Sequence, residues 1–308
     1  MELRDFTYLI TLAEEGSISK AADRLYMAQS SLSQFLAQTE AELGAQLFTR
    51  TSRGIRLTGS GKVFIGRLRN IMAEYQNAKN ELWDSEHLKG GHVSFGISSF
   101  RGERILPLVL KKFKALYPDV QVDVTEANSY RLETLLLNGR LDIAVIAMPA
   151  VRLSGDVHFL AKDEIMIAAP CGHPLREKAH EREDGKGKWV SLEDAASYDF
   201  VLSFHDTILG TMARELFRSN KIMAHAVHDN ITAEMALAMA KEGIGLAFTY
   251  RSHIGPEHVV DLYSVTEQGV YLDLGVAFPP GMYHSKGSLA MEEVLREVYA
   301  ENMTGPSI

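Results

Sequence analysis

The sequence predicts three consecutive units: an all-α head carrying a small hairpin, one long connecting helix, and an α/β remainder. Three observations predict them. Up to about residue 48, apolar residues fall at helical spacing in short blocks, separated by Gly16 and by a turn near Met27. Residues 64 to 82 then carry an apolar or small residue at alternating steps of four and three. From residue 92 onward, runs of strand length alternate with amphipathic stretches, which is the pattern of successive βα units.

The bulk numbers bound the answer. The chain has 308 residues, 46% apolar and 23% charged, which is enough for two or three domains with a substantial core. It holds no apolar run of membrane-spanning length, and its first residues, MELRDFTYLITLAEEGS, do not read as a signal peptide. A single cysteine, Cys171, excludes an internal disulfide and fits a cytoplasmic protein. The net charge of −8 argues against nucleic acid until its distribution is considered. Residues 1 to 64 balance seven basic against seven acidic side chains, and between Leu43 and Ala73 there are six basic residues and no acid. Screening limits fields to roughly 10 Å, so a local basic tract can face phosphate in an acidic protein, although it can equally be a solvated surface.

The head reads as follows. Leu3, Phe6, Leu9, Ile10 and Ala13 mark an amphipathic helix over residues 2–14, ended by Gly16. Ser17 can cap a second, short helix with Ile18, Ala21, Ala22 and Leu25 on one face. A third helix spans about 29–42, with Leu32, Leu36 and Leu43 as its buried stripe and Thr39 in an apolar slot. Gln29, Ser30, Ser33, Gln34 and Ala37 then point outward. A short helix, a tight turn and a second helix with an uncharged polar face form a helix-turn-helix, whose second helix enters the DNA major groove. Gln can bond bidentately to adenine, and Ser can reach base edges or phosphate. The plainer alternative is a merely solvated face. TRTSRGIRLT (49–58) reads as a hairpin wing that carries Arg50, Arg53 and Arg56 toward backbone phosphate. The helix after it, about 58–88, bears Phe64, Leu68, Ile71, Tyr75, Ala78 and Leu82, a heptad seam that calls for a second copy.

At this point residues 1–66 resemble the N-terminal domain of LysR-type transcriptional regulators. The matching residues are Phe6, the run AEEGSISKAADRLYMAQSSLSQFL, Glu40, AELG (41–44), LF (47–48), Arg50, Arg53, LT (57–58) and Gly61. The resemblance implies that Gln29, Ser30, Ser33 and Gln34 meet the groove, with the wing arginines on phosphate. Four positions depart from the family pattern. Ala28 stands at the usual Ser or Thr cap, a loss of about 1 kcal/mol. Ser30 replaces a common Pro and Gln34 a common Arg. Phe35 stands where Gln is usual, and either packs inward or meets a thymine methyl.

In the remainder, Gly90 and Gly91 break the long helix. Strands are expected at 92–99, 120–127, 141–147, 164–170, 199–204, 224–230, 245–250 and 270–278. Helices are expected at about 105–117, 129–139, 209–219, 232–242 and 285–301. The strand–helix alternation predicts a parallel sheet. FxxxYPDV (113–120), LLLNGRLDIAV (135–145), HPL (173–175) and MAKEGIGLAF (239–248) resemble the effector domain of the same family, a two-lobed fold similar to periplasmic solute-binding proteins. The resemblance implies a winged helix-turn-helix over 1–58, a linker helix over 59–89 and an effector domain over 90–301. Within the last, one lobe takes 91–161 and 268–301, and the other 162–267. A ligand would lie between them, beyond strand carboxyl ends where helix N-termini offer free N–H groups. Those positions are Ser98, Ser99, Asn128, Ser129, Ala147, Met148, Ser203, Phe204, Asn230 and Thr249. Arg101 is either a partner for a carboxylate effector or an ordinary surface arginine. The charge-rich stretch REKAHEREDGKGKW (176–189), longer than in the family, reads as an exposed, mobile loop.

Catalytic chemistry does not assemble. GSGK (59–62) lacks the residues of a phosphate loop, since Arg56 and Val63 stand where Gly and Ser or Thr are required. His225 and His228 have no third ligand nearby and read as structural. The sequence therefore predicts no catalytic residue, no metal and no cofactor. It predicts a ligand-responsive regulator whose partners are double-stranded DNA, a small effector for which an anion is one candidate, and further copies of itself. The copies would pair through residues 58–88 and assemble further to a tetramer, with no membrane involved. The rival reading is an enzyme or small-molecule-binding α/β module whose front end serves only dimerisation.

Overall fold

The computed structural model describes all residues except 53, 86–90, 154, 256–258 and 304–308. The head contains α1 (Leu3–Glu15), α2 (Ile18–Arg24) and α3 (Gln29–Leu43), followed by the hairpin β1 (Phe48–Thr51) and β2 (Gly54–Leu57) and the long α4 (Gly59–Ser85). Gly16 ends α1 in the left-handed region at φ 58°, and the Ser17 hydroxyl accepts from the Lys20 N–H to start α2. α3 starts at Ala28 with no side-chain cap. Leu9, Leu12, Ala21, Ala22, Leu32, Leu36, Leu47, Phe48, Ile55, Ile65 and Leu68 form the core of this half. Thr39 is buried as expected, but Leu43 is 38% exposed. It is the last residue of α3, beyond the reach of the α1–α2 pair, so the stripe ends at Thr39.

Close backbone approach fixes the wing. Gly54 sits at φ 124°, where an added Cβ would lie 2.2 Å from the Gly16 carbonyl oxygen, and the Ile55 N–H donates to that same oxygen at 2.8 Å. The expected heptad seam divides in two. Leu68 is buried and Phe64 packs on the core of the head, so the first turns of α4 seat the helix. Ile71, Tyr75 and Leu82 are 47%, 48% and 62% exposed, so the later seam faces outward.

The α/β half runs through β3 (Gly91–Ile97), α5 (Ser99–Leu116), β4 (Val120–Glu126), α6 (Ser129–Leu137), β5 (Ile143–Met148) and the 14-residue β6 (Val157–Pro170). It continues with β7 (His180–Glu181), β8 (Lys188–Trp189), α7 (Leu192–Ala195), β9 (Phe200–Ser203), α8 (Ile208–Ser219), β10 (Ala226–Ile231), α9 (Ala233–Lys241) and β11 (Leu246–Tyr250). β12 (Val260–Ser264), β13 (Val270–Ala277) and α10 (Lys286–Met303) close it. The sheet order is β10-β9-β11-β6-β13-β5-β3-β4. The expectation of a parallel sheet holds only within each end. β3 pairs in parallel with β4 and β5, and β9 with β10 and β11. Between them β6 and β13 run antiparallel to each other and to their outer neighbours. β6 pairs with β13 through Ile165 and with β11 and β12 beyond it, so one strand passes from one end of the sheet to the other. The polar run Lys162, Asp163 and Glu164 interrupts its apolar pattern, which is why the sequence placed the strand seven residues late.

The stretch 176–189 differs most from expectation. A 3-10 turn (Pro174–Lys178) leads into β7, which pairs with β8, and β8 in turn adds to β12. Arg182 inside it is buried, 3% exposed at the side chain, and donates to Glu164 Oε1 at 2.6 Å and to the Ser264 hydroxyl at 2.7 Å. The stretch is thus a folded strap docked on the crossing strand. Among the described residues, no helix is long and apolar enough to cross a membrane.

Candidate DNA-reading face and effector cleft

The outward face of α3 carries what a groove reader needs. Gln29, Ser30 and Gln34 are exposed and Ser33 is half-buried. None of the four carries charge, so the face can discriminate bases without gripping all phosphates alike. Phe35 turns inward, its ring edge-on to Tyr8 at 5.3 Å. The wing is registered to this helix by Glu40, whose Oε1 accepts from the backbone N–H groups of Leu47 (2.6 Å) and Phe48 (2.9 Å). Sequence reasoning gave Glu40 no role beyond a match to the family; it is half-buried beside Thr39, whereas Glu42, the other acid of this helix, is exposed. Arg50 and Arg56 are exposed, but they do not share a face. Arg50 lies opposite Ile55 and Arg56 opposite Thr49, so the two side chains emerge on opposite sides of the ribbon. Arg53 lies outside the described residues.

In the α/β half, the predicted cleft residues do lie at strand carboxyl ends, but they separate into open and committed groups. Ser99 and Asn230 are exposed, and Ser98, Met148 and Phe204 are half-buried. Ser98 is the α5 N-cap and makes no side-chain cap bond, so its hydroxyl stays open to a ligand. The Asn128 side chain already accepts from the Arg131 N–H at 3.0 Å. Ser129 is buried, its hydroxyl accepting from the Ala147 N–H at 3.3 Å. Ser203 and Thr249 are buried as well. These three side chains are buried, unlike Ser99 and Asn230.

Arg101 is neither a surface arginine nor an open one. It is 5% exposed, with its guanidinium 4.1 Å over the Tyr250 ring and Nε 3.9 Å from Asp163 Oδ2. Its Nε and Nη2 have no hydrogen-bond acceptor among the described residues. Asp163 lies on the crossing strand and is held by Ser252, through the backbone N–H at 3.1 Å and the hydroxyl at 2.6 Å. Burial pushes the Asp163 carboxyl above the usual range, against the pull of Arg101 and of these two hydrogen bonds. The same turn receives α5 a second time. His253 stacks on Phe100 at 3.9 Å and bonds its carbonyl through Nδ1 at 2.8 Å. The first turn of α5 is therefore bolted to the turn after β11, directly behind Ser98 and Ser99. Two consecutive acids in a strand, Asp163 and Glu164, were the sequence signal for this floor. Among the described residues, no group of three or more His, Cys, Asp or Glu is placed to hold a metal ion.

Comparison with known proteins agrees with both halves. The family described as bacterial regulatory helix-turn-helix protein, lysR family, matches residues 3–62, and the LysR substrate binding domain matches residues 86–300. The regulator YtlI of Bacillus subtilis (strain 168) is 27% identical over 307 residues, covering 97% of this chain and 92% of its own. AlsR of the same organism is 30% identical over 255 residues, covering 80% of each chain. Among solved structures, a full-length OxyR variant from Pseudomonas aeruginosa aligns with a TM-score of 0.69 at 19% identity, over 96% of this chain and 98% of its own. CbnR complexed with its target DNA aligns at 0.63 and 20%, over 97% of this chain and 100% of its own. The structural likenesses establish the fold, and the two family matches span the reading helix and the α/β half: the chain belongs to the LysR family of transcriptional regulators.

Proposed function

We propose that the protein regulates transcription by reading double-stranded DNA through Gln29, Ser30, Ser33 and Gln34, with Arg50 and Arg56 on flanking phosphate. The observation that carries this reading is the uncharged, exposed face of α3, held in register with the wing by Glu40. CbnR, whose fold is similar, has been solved on its target DNA. The unit over 1–58 reads, the helix over 59–89 pairs two copies through its outward seam, and the part over 90–301 senses a small effector in the cytoplasm. The effector site lies at Ser98, Ser99, Met148, Phe204 and Asn230, and its occupancy biases the arrangement of the two lobes and hence of the paired reading helices. Tetramers form from these dimers. The protein is a regulator and not an enzyme. Replacing Ser33 and Gln34 together by Ala tests the reading face. Each good base contact contributes about 1–3 kcal/mol of discrimination, so specific affinity should fall about tenfold or more while non-specific binding at matched salt stays constant. Unchanged specific affinity sinks the assignment.

A further inference from the structure

A second polar recess lies between the end of β4 and α6. Thr125, Glu126 and Ala127 at the end of β4, Arg131 and Leu135 on one face of α6, and Arg140 in the turn after it line a cavity of about 280 Å³. Two arginines face one carboxylate there. Arg131 has no ion-pair partner among the described residues. Arg140 reaches out of the α/β half to Glu14 of α1, with Nη1 2.5 Å from Oε1. That contact is close but not aligned, for Glu14 Oε1 is buried without a hydrogen-bond partner among the described residues. A third arginine, Arg69 of α4, stands within electrostatic reach of Glu14, Arg140 and Arg131, and its buried Nε also lacks an acceptor among the described residues. Burial, with Arg140 and Arg131 nearby, lowers the Arg69 guanidinium despite the attraction of Glu14. Cationic groups thus outnumber acids where the DNA-reading head meets the α/β half through the Arg140–Glu14 contact.

We propose that this recess is a second ligand site, built for a small anion bearing phosphate or carboxylate groups, whose binding between Arg131 and Arg140 competes with Glu14 for Arg140. The volume suits a small metabolite, and planar guanidinium forks match the oxygens of such an anion. Arg140 can be taken at little cost. Glu14 keeps a second partner, since Arg24 Nη1 holds its Oε2 at 3.0 Å. Occupancy therefore exchanges a strained contact between the two halves for an aligned one within the α/β half, and frees α1 from the turn after α6.

The inference goes beyond the DNA-reading assignment, and its test uses no DNA, so either can fail alone. Inorganic phosphate and, separately, succinate are titrated calorimetrically into the full-length protein in dilute buffer free of other polyvalent anions. At least one of the two should bind, and the stronger identifies the group recognised. Arg131→Gln, which breaks no observed bond, should weaken binding about tenfold, as loss of one of two charge-assisted anchors does. Glu14→Gln should tighten it several-fold by removing the competitor. Arg218→Gln, the same charge removed on α8, should leave it unchanged. The proposal is overturned if neither anion binds, if Arg131→Gln binds within twofold of the natural protein, or if Glu14→Gln does not tighten.

Discussion

Replacing Arg182 by Ala should cost about 3 kcal/mol of stability. The estimate follows from what its guanidinium holds. Nη1 donates to Glu164 at 2.6 Å and to Ser264 at 2.7 Å, and Nε and Nη2 reach Asp184 at 3.0 and 2.8 Å. Both members of the Arg182–Glu164 pair are under 5% exposed at the side chain, at 3% and 4%. Removing one partner of such a pair leaves a buried charge and typically costs about 3–5 kcal/mol. The low end applies because Glu164 keeps the Ser264 hydroxyl at 2.5 Å and a more distant Arg251 at 3.8 Å. Urea unfolding, followed by a probe in the α/β half, should show the change as a more than hundredfold shift of the equilibrium. Limited trypsin digestion adds a local reading, because Lys186 and Lys188 lie exposed within the strap and should become cleavable once its anchor is gone. Replacing the pair together, Arg182→Met with Glu164→Leu, should restore most of the loss, since an apolar pair of similar size avoids the desolvation penalty. A loss under about 1 kcal/mol with unchanged digestion would be the behaviour of a solvated surface pair, and the docked strap would be refuted.

Other outcomes follow from single observations. Ala28 occupies the α3 N-cap at φ −68° and ψ 134°, a conformation suited to a capping hydroxyl, so Ala28→Ser should stabilise the head by about 1 kcal/mol, read as a higher urea midpoint. Ile71→Asp combined with Leu82→Asp places charge on the outward seam of α4 and should yield protomers in sedimentation; a variant that stays oligomeric excludes that seam as the interface. Burial holds the His173 imidazole below its ordinary range, opposed by Asp261, and its Nδ1 accepts from the Leu175 N–H at 3.2 Å. Because its folded pKa is depressed, its contribution is complete above the unfolded value of about 6.5 and is lost as the pH falls through the folded one. Stability should therefore decline below about pH 6.5, with a smaller slope in His173→Asn.

What was legible in the sequence was what repeats. Leu32, Leu36 and Thr39 fell on one helical face and are buried, and the largely apolar run at 141–147 became β5, buried from Ile143 to Ala147. The polar face of α3 was legible for the same reason, by subtraction from that stripe. Single polar contacts were not. Glu40, Arg101 and Arg182 each look like surface residues by type, and only the backbone brings Leu47, Asp163 and Glu164 within their reach. A charge-rich stretch such as 176–189 is ambiguous in principle, because composition reports the average solvent preference of its residues, while one buried arginine with the right acceptors decides where the segment lies. The cleft residues illustrate the same limit. Their place at strand ends followed from the fold, whereas which of them stay open depends on individual bonds such as that between Ser129 and Ala147.

The crossing strand shows how these hidden contacts serve the architecture. Asp163 and Glu164 are adjacent in β6, so their side chains project to opposite faces of the sheet. Asp163 meets Arg101 and Ser252 on one face, and Glu164 meets Arg182 and Ser264 on the other. A slip of β6 by one residue would exchange the two acids and leave four polar partners facing apolar neighbours, so the pair specifies register more than it adds stability. The two clamps differ in strength. Arg182 is hydrogen-bonded to its acid at 2.6 Å, while Arg101 stands 3.9 Å from Asp163 with two nitrogens unpaired among the described residues. One face of the crossing strand is therefore locked by the strap and the other is held loosely, and the loose face is the one that begins two residues after Ser99. A ligand that orders the first turn of α5 acts where the crossing strand resists least.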